Sequence, residues 1–468
     1  MEYSRGPPGG VRVSSPAVTE APARPSFKRL IRGRDFRLLW GGEAVSLIGD
    51  QFALIALPWL VVTLTGSPVA VGGVLAAAAF PRALLMLVGG AVTDRYSPRL
   101  VMLASNLARL VLTAVFAAVL LAGRVELWMV YAYALAFGVA DAFFFPAQTA
   151  IVPRVVQGDD LPLGNAAVQG TAQASLFIGP ALAGALIALF AGGQGEAGQN
   201  VTGIGLAFAI DAATFLASVA TLALLRAQPS AESTAQQAQS LWRSIREGLV
   251  FVWHDPALRA IFGLLLAVNL LIVGPFTVGI PLLAQDRLQG AAAFGIIMSA
   301  QGGGSLAGIL LAGVLPPPPP RLFGSVLGLL CVVMGTLFAL ISVGSTLAGV
   351  AALAAGTGLI NGYIALLFIT WLQRMTVPAL QGRMMSLLML ASIGLVPVSQ
   401  LIAGFLIRLS FGGVIAVAGA GMALLSLLMF AMPSVRAVGL RTGLLGEELD
   451  TAGRPDAPAG ILQGGIAE

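Results

Sequence analysis

Twelve apolar runs, most of them longer than about 20 residues, occupy most of the 468-residue sequence. They fall near 38–64, 69–92, 99–121, 126–147, 163–191, 203–225, 257–284, 291–315, 321–342, 346–373, 382–407 and 411–432. A helix of about 20 apolar residues crosses the hydrocarbon core of a bilayer. In lipid, only helices and closed barrels satisfy every backbone N–H and C=O, and these runs are too long and too uniform for barrel strands. The pattern therefore predicts an all-α integral membrane protein with twelve transmembrane helices. Only 10% of residues are charged and 57% are hydrophobic, against about 25% charged in soluble domains. The lipid bilayer is the expected solvent.

Orientation follows from the basic residues. If both termini lie on one side, about 21 of the 26 Lys and Arg residues fall in segments on that side. Arg124, Arg287 and Arg408 fall opposite, and Arg82 and Arg109 lie within spans. The positive-inside rule then predicts a multi-pass protein of a bacterial inner (plasma) membrane with both termini cytoplasmic. Residues 1–36, polar and rich in Pro and Arg, are expected to be a disordered cytoplasmic tail. Six-helix bundles are expected at 37–225 and 257–432, joined by a cytoplasmic linker at 226–256 and followed by a second tail at 433–468.

The halves echo each other. Asp35 and Asp255, and Arg154 and Arg374, are each separated by about 220 residues in similar phrases. A duplicated six-helix unit is how many carriers are built, with the substrate site between the repeats at mid-membrane.

Composition also excludes chemistries. The single Cys331 rules out internal disulfides, and the single His254 rules out histidine-based metal clusters. No nucleophile–base set and no phosphate loop is visible, and Gly302-Gly303-Gly304 reads as tight packing inside an apolar run. No enzyme activity, cofactor or metal is expected. The basic N-terminal segment is explained by topology, without nucleic acid. A monomer is expected.

GGAVTDRYSPR, residues 89–99, lies between spans two and three. It resembles the loop signature of the major facilitator superfamily through Gly90, Asp94, Arg95, Pro98 and Arg99. Leu100 stands where a second basic residue is usual. The resemblance implies the major facilitator fold, two six-helix repeats that rock around a central site. It also implies a cytoplasmic gate at Gly90, Asp94, Arg95 and Arg99, with Asp141 as the acid that an arginine of the loop could meet. GTAQASLFIGPALAG in span five is similar to the Gly-Pro motif of drug-exporting antiporters in Gly170, Gly179, Pro180 and Gly184. Proline kinks the helix there and glycine permits close packing. FRLLWGGEAVSLIGDQF, DAFFFPAQTAIVPRVV and IDAATFLASVATL resemble the macrolide and siderophore exporter branch.

Intramembrane ionisable groups are costly, about 2.5–3.5 kcal/mol at mid-bilayer by insertion scales, and mark function by default. Glu43, Ser46 and Asp50 sit at i, i+3 and i+7 and share one helix face. A carboxyl in a cavity that opens alternately to each side can load a proton on one and release it on the other. Asp50 is the expected coupling acid, with Glu43 or Asp211 as alternatives. Arg82, Arg109 and Asp211 are the other buried charges, and a pairing of Arg82 with Asp50 is expected. Ser46, Gln169, Gln173, Asn269, Gln301, Asn361 and Gln400 are cavity candidates; their alternative is hydrogen bonding between helices. The expected activity is proton-antiport export of an amphipathic drug, macrolide or siderophore-like small molecule by alternating access. A proton-coupled importer on the same fold, or a non-transporting membrane scaffold or sensor, is the alternative.

Overall fold

A computed structural model of the chain describes residues 27–156, 158–190, 201–226, 250, 253, 256–288, 290–319, 322–375 and 378–431. Twelve helices among these are long and apolar enough to cross a membrane. Span one is Arg34–Thr65, span two Pro68–Arg95, span three Pro98–Leu121 and span four Leu127–Val155. Span five is Leu161–Leu189 and span six Thr202–Leu224. Span seven is built from Pro256–Val268, a π-helical turn Asn269–Val273 and Gly274–Asp286. Span eight is Ala291–Val314, span nine Phe323–Leu340, span ten Leu347–Met375. Span eleven is broken into Pro378–Gly394 and Val396–Ile407, and span twelve is Phe411–Ala431.

Two differences from the sequence-based boundaries matter. Residues 27–36, expected in the tail, are ordered as a short helix Phe27–Arg32 and the start of span one. Leu30 and Phe36 are buried against Val156, and Arg29 grips Asp160 with two hydrogen bonds of 2.7 Å. Span four continues through Pro146 and Pro153 to Val155. Neighbouring helices absorb a missing proline donor in membrane proteins. Residues 227–249, with His254, Asp255 and most of both tails, lie outside the described residues.

The halves repeat one packing scheme. In the first, span two packs on four, three on four and six, and one on five and six. In the second, eight packs on ten, nine on ten and twelve, and seven on eleven. The halves meet along two seams, five against eight and two against eleven. Glycine permits the first: a Cβ on Gly184 would lie 2.9 Å from the Cα of Gly295. Pro180 has no N–H, and the next amide, Ala181, donates across the seam to Ser299 Oγ at 2.8 Å. Span seven uses a similar patch. Ser399 Oγ accepts from Gly274 N at 3.0 Å and donates to Leu270 O at 2.7 Å, at the π turn beside Pro275.

The cores differ at the two ends. At the end distal to the short helix, one apolar core runs through both halves and includes Leu60, Val71, Phe208, Phe276, Phe294 and Ile407. At the proximal end the cores are separate, one around Leu39, Met102 and Ile151, the other around Phe262, Leu327 and Trp371.

Candidate functional site

Four spans of the first half each present polar residues at i and i+7, hence on one face. Span one offers Glu43 and Asp50, span three Asn106 and Thr113 with Arg109 between, span four Asp141 and Gln148, and span six Asp211 and Ser218. Packing turns these faces toward one another and links Asp141, Arg109, Asn106, Ser218, Glu43 and Gln148 into a chain of hydrogen bonds.

Arg109 is its centre. The side chain is 1% exposed, near the middle of span three. Its guanidinium donates to Asp141 Oδ1 at 3.2 Å and to Asn106 Oδ1, and lies 3.9 Å from Asp50 Oδ1. The rings of Phe144 and Phe215 cover it at 3.9 and 4.7 Å. A cation removed from water needs such partners: the carboxylates supply charge and the rings their negative faces. Arg82 of span two donates to the other Asp141 oxygen at 3.4 Å. From Arg109 the chain continues inward. Asn106 Nδ2 donates to Ser218 Oγ at 2.8 Å, and Ser218 donates to Glu43 Oε1 at 3.2 Å. Gln148 donates to the other Glu43 oxygen at 2.9 Å.

The two acids of span one therefore differ. Glu43 is 2% exposed and bonded on both oxygens, whereas the Asp50 side chain is 28% exposed. Glu43 sits in a closed inter-helix network, and Asp50 sits at its edge. Asp211 is fully buried and neither carboxylate oxygen has a hydrogen-bond partner among the described residues. It feels the charges of Asp50 and Arg109 without pairing with either.

Several expectations are corrected. Asp141 does not meet an arginine of the proximal loop. Span four runs on to Val155, so Asp141 lies at mid-span and pairs with Arg82 and Arg109. Arg82 consequently pairs with Asp141 rather than Asp50. Arg99 bonds no acid; it donates to the carbonyls of Leu222 and Ala223 at 2.8 and 2.7 Å, capping the end of span six, where the helix dipole is negative. Gly90 touches nothing at its Cα face; its neighbour Gly89 makes the close approach, to Ala142. Arg95 is exposed, and the Asp94 side chain lies outside the described residues. Gly170 faces open space, while Gly179 packs on Gln51 and Gly184 on Gly295.

The cavity candidates also divide. Ser46, Asn269 and Gln400 are buried, and Asn269 bonds its own helix at Leu265 O. Gln169 and Asn361 are exposed, and Gln173 and Gln301 are half-buried. Asn361 borders a hollow of about 80 Å³ inside the second bundle, with Cys331 and Phe368. Asn106, Gln148 and Ser218 were not singled out from sequence. Their signal was present, since each stands three or seven residues from a charged residue on its own span.

Residues 39–398 match the family model of the Major Facilitator Superfamily. The chain belongs to the major facilitator superfamily. Among relatives in this superfamily, it is 23% identical over 257 residues to "Macrolide efflux protein A" of Streptococcus pyogenes, spanning about 60% of that relative's length and 54% of its own. It is 27% identical over 384 residues to "Multidrug efflux pump Tap" of Mycobacterium tuberculosis, covering 80% of this chain and 87% of the relative. Superfamily structures share the fold at low identity. A crystal structure of nucleoside transporter NupG superposes with a TM-score of 0.65 at 13% identity, over 85% of this chain and 98% of that one. A D-xylose-proton symporter gives 0.62 at 14%, over 86% and 98%. As a superfamily member with twelve spans, the chain is a multi-pass membrane protein of a transporter family.

Proposed function

We propose that the protein exports amphipathic small molecules in exchange for protons, by alternating access. The observation that carries this reading is the mid-span cluster of Asp50, Asp141, Arg82 and Arg109. Charges with exposed edges at that depth are costly against hydrocarbon, and on this reading they face water between the two halves. The first half carries four intramembrane carboxylates, Glu43, Asp50, Asp141 and Asp211, against two guanidinium groups among the described residues, Arg82 and Arg109, which pair only with Asp50 and Asp141. A buried site with surplus carboxylate balances its charge by taking up protons. Asp50 is our candidate to exchange them: its side chain is 28% exposed, 3.9 Å from Arg109, and Oδ1 has no hydrogen-bond partner among the described residues.

The direction of transport is supported by relatives whose names describe efflux of macrolides and of multiple drugs. With both termini in the cytoplasm, a joint core at the distal end and separate cores at the proximal end correspond to an inward-facing carrier ready to load substrate. The spans-five-and-eight seam, with Gly184, Gly295 and the Ala181–Ser299 bond, is the surface on which the halves rock. Gly-Pro in span five belongs to this bearing.

The test is transport of a lipophilic dye in inverted membrane vesicles energised by a proton gradient. Uncoupler-sensitive uptake by the wild type is expected, and Asp50→Asn should lose the proton-driven component while binding the dye. Proton-driven transport unchanged in Asp50→Asn would remove this residue from the mechanism. Dye movement with the proton, out of such vesicles, would replace export by import, the direction of coupling in the D-xylose-proton symporter's name being symport.

A further inference from the structure

A second hollow lies outside the charged network, on the flank of the first bundle. It encloses about 520 Å³ and is lined by spans two, three and four. Leu100, Ala104, Ala108 and Leu112 run along one wall, Val139 stands on the other, and Tyr96 is at the mouth. Ala104 and Ala108 are exposed, and their small side chains make the trough. Ser105 also borders it, but its hydroxyl is spent on Ala140 O at 2.7 Å. The wall thus offers almost nothing to a polar ligand.

Two features say what would fill it. The first is length. Leu100 to Leu112 on span three is twelve residues, about 18 Å at 1.5 Å per residue. Half of a 30 Å hydrocarbon core is about 15 Å. The trough starts at the proximal ends of spans two and three, so it covers the depth of one leaflet. The second is charge. Arg95, the last residue of span two, is exposed at the mouth with its guanidinium 5.9 Å from the Tyr96 ring centre. It makes no ion pair among the described residues. A polypeptide loop would bring backbone groups that this wall cannot satisfy; a hydrocarbon chain brings none.

We propose that the trough is a binding site for one anionic phospholipid of the proximal leaflet. One acyl chain lies along residues 100–112, and the phosphate sits at Arg95 and the Tyr96 hydroxyl. Phe143 lines the trough and its neighbour Phe144 covers Arg109. The bound lipid therefore bears on the helix that carries Asp141.

The experiment uses the full chain in phosphatidylcholine nanodiscs doped with phosphatidylglycerol that carries a photoactivatable diazirine at mid-chain. Labelled peptides are mapped by mass spectrometry. Label should concentrate at residues 100–112 and 136–143. Ala108→Trp, which fills the trough, should lose most of that label; Leu107→Trp, on an exposed stripe outside it, should keep it. Arg95→Gln should lose the preference for the phosphatidylglycerol probe over its phosphatidylcholine counterpart. Ala104→Trp repeats the filling test if Ala108→Trp fails to elute as folded protein. Label spread evenly over all lipid-facing helices, or unchanged by both tryptophans, would overturn the site. Equal labelling by both probes in the wild type would overturn the anionic headgroup. Protein cross-links between the trough and residues 227–249 would show that the chain's own linker covers it, which also overturns the proposal.

Discussion

Replacing Arg109 by Gln tests the charged network most directly. The substitution keeps a polar tip but removes the charge that Asp141 and Asp50 share at 3.2 and 3.9 Å. Breaking a buried ion pair from one side costs about 3–5 kcal/mol, because the remaining charge is left uncompensated. The rings of Phe144 and Phe215 also lose a cation, at about 0.5–2 kcal/mol each, which lies within that range once water or a proton relieves the acids. Asp141→Asn is a smaller perturbation. Arg109 keeps Asn106, Asp50 and both rings, and the Arg82 side chain, 43% exposed, turns to water. The loss is then that of a charged hydrogen bond, about 1.5–3 kcal/mol. In the double variant no guanidinium at 109 waits for Asp141 and no carboxylate waits for Arg109. The combined cost should fall short of the sum by more than about 0.5 and up to about 3 kcal/mol, the range of coupled neighbours. Reversible unfolding in mixed micelles titrated with dodecyl sulfate, followed by tryptophan fluorescence, measures all three. Costs that add to within about 0.5 kcal/mol would refute the view that these residues act as one unit.

Other outcomes follow from named contacts. Ser299→Ala removes the one side-chain bond described across the seam of spans five and eight; about 1 kcal/mol of stability should be lost, with a change in transport rate read in the vesicle assay. Gly184→Leu should express and insert but not transport, because its side chain would meet Gly295 and Ala291; wild-type rates would deny the seam its role. Glu43→Gln preserves hydrogen-bonding capacity toward Gln148 and Ser218 and should retain most transport, unlike Asp50→Asn, when the two are compared in the same vesicles. The short helix Phe27–Arg32 is held by the Arg29–Asp160 pair, and the hydrogen bond to Asp160 raises the Arg29 pKa above the ordinary arginine value. A raised cation pKa gives an interaction that is fully present below the unfolded value and lost only above it. Buffers from neutral to mildly alkaline should therefore leave the helix docked. Proteolysis at Arg29 and Arg32 followed against pH checks this, and Asp160→Asn should be cut readily at every pH.

What the chain encodes locally was readable from its residues. A bilayer demands about 20 apolar residues per crossing, so the spans announce themselves without reference to their neighbours. Pro180 with its flanking glycines pointed to the stretch of span five that packs closely on span eight, and the i, i+7 spacing put Glu43 and Asp50 on one face. Tertiary structure decided the rest. Which acid meets which arginine depends on how each helix is rotated and how far it slides along its axis, and spacing within one span carries neither quantity. Extending span four from about residue 147 to Val155 moved Asp141 from near the end of the span to its middle and gave it to Arg82 and Arg109. The same packing closed Glu43 between spans one, four and six while leaving Asp50 partly exposed, although both stand on the same face. An intramembrane charge is placed by the partners that neutralise it, and here those partners lie on other helices.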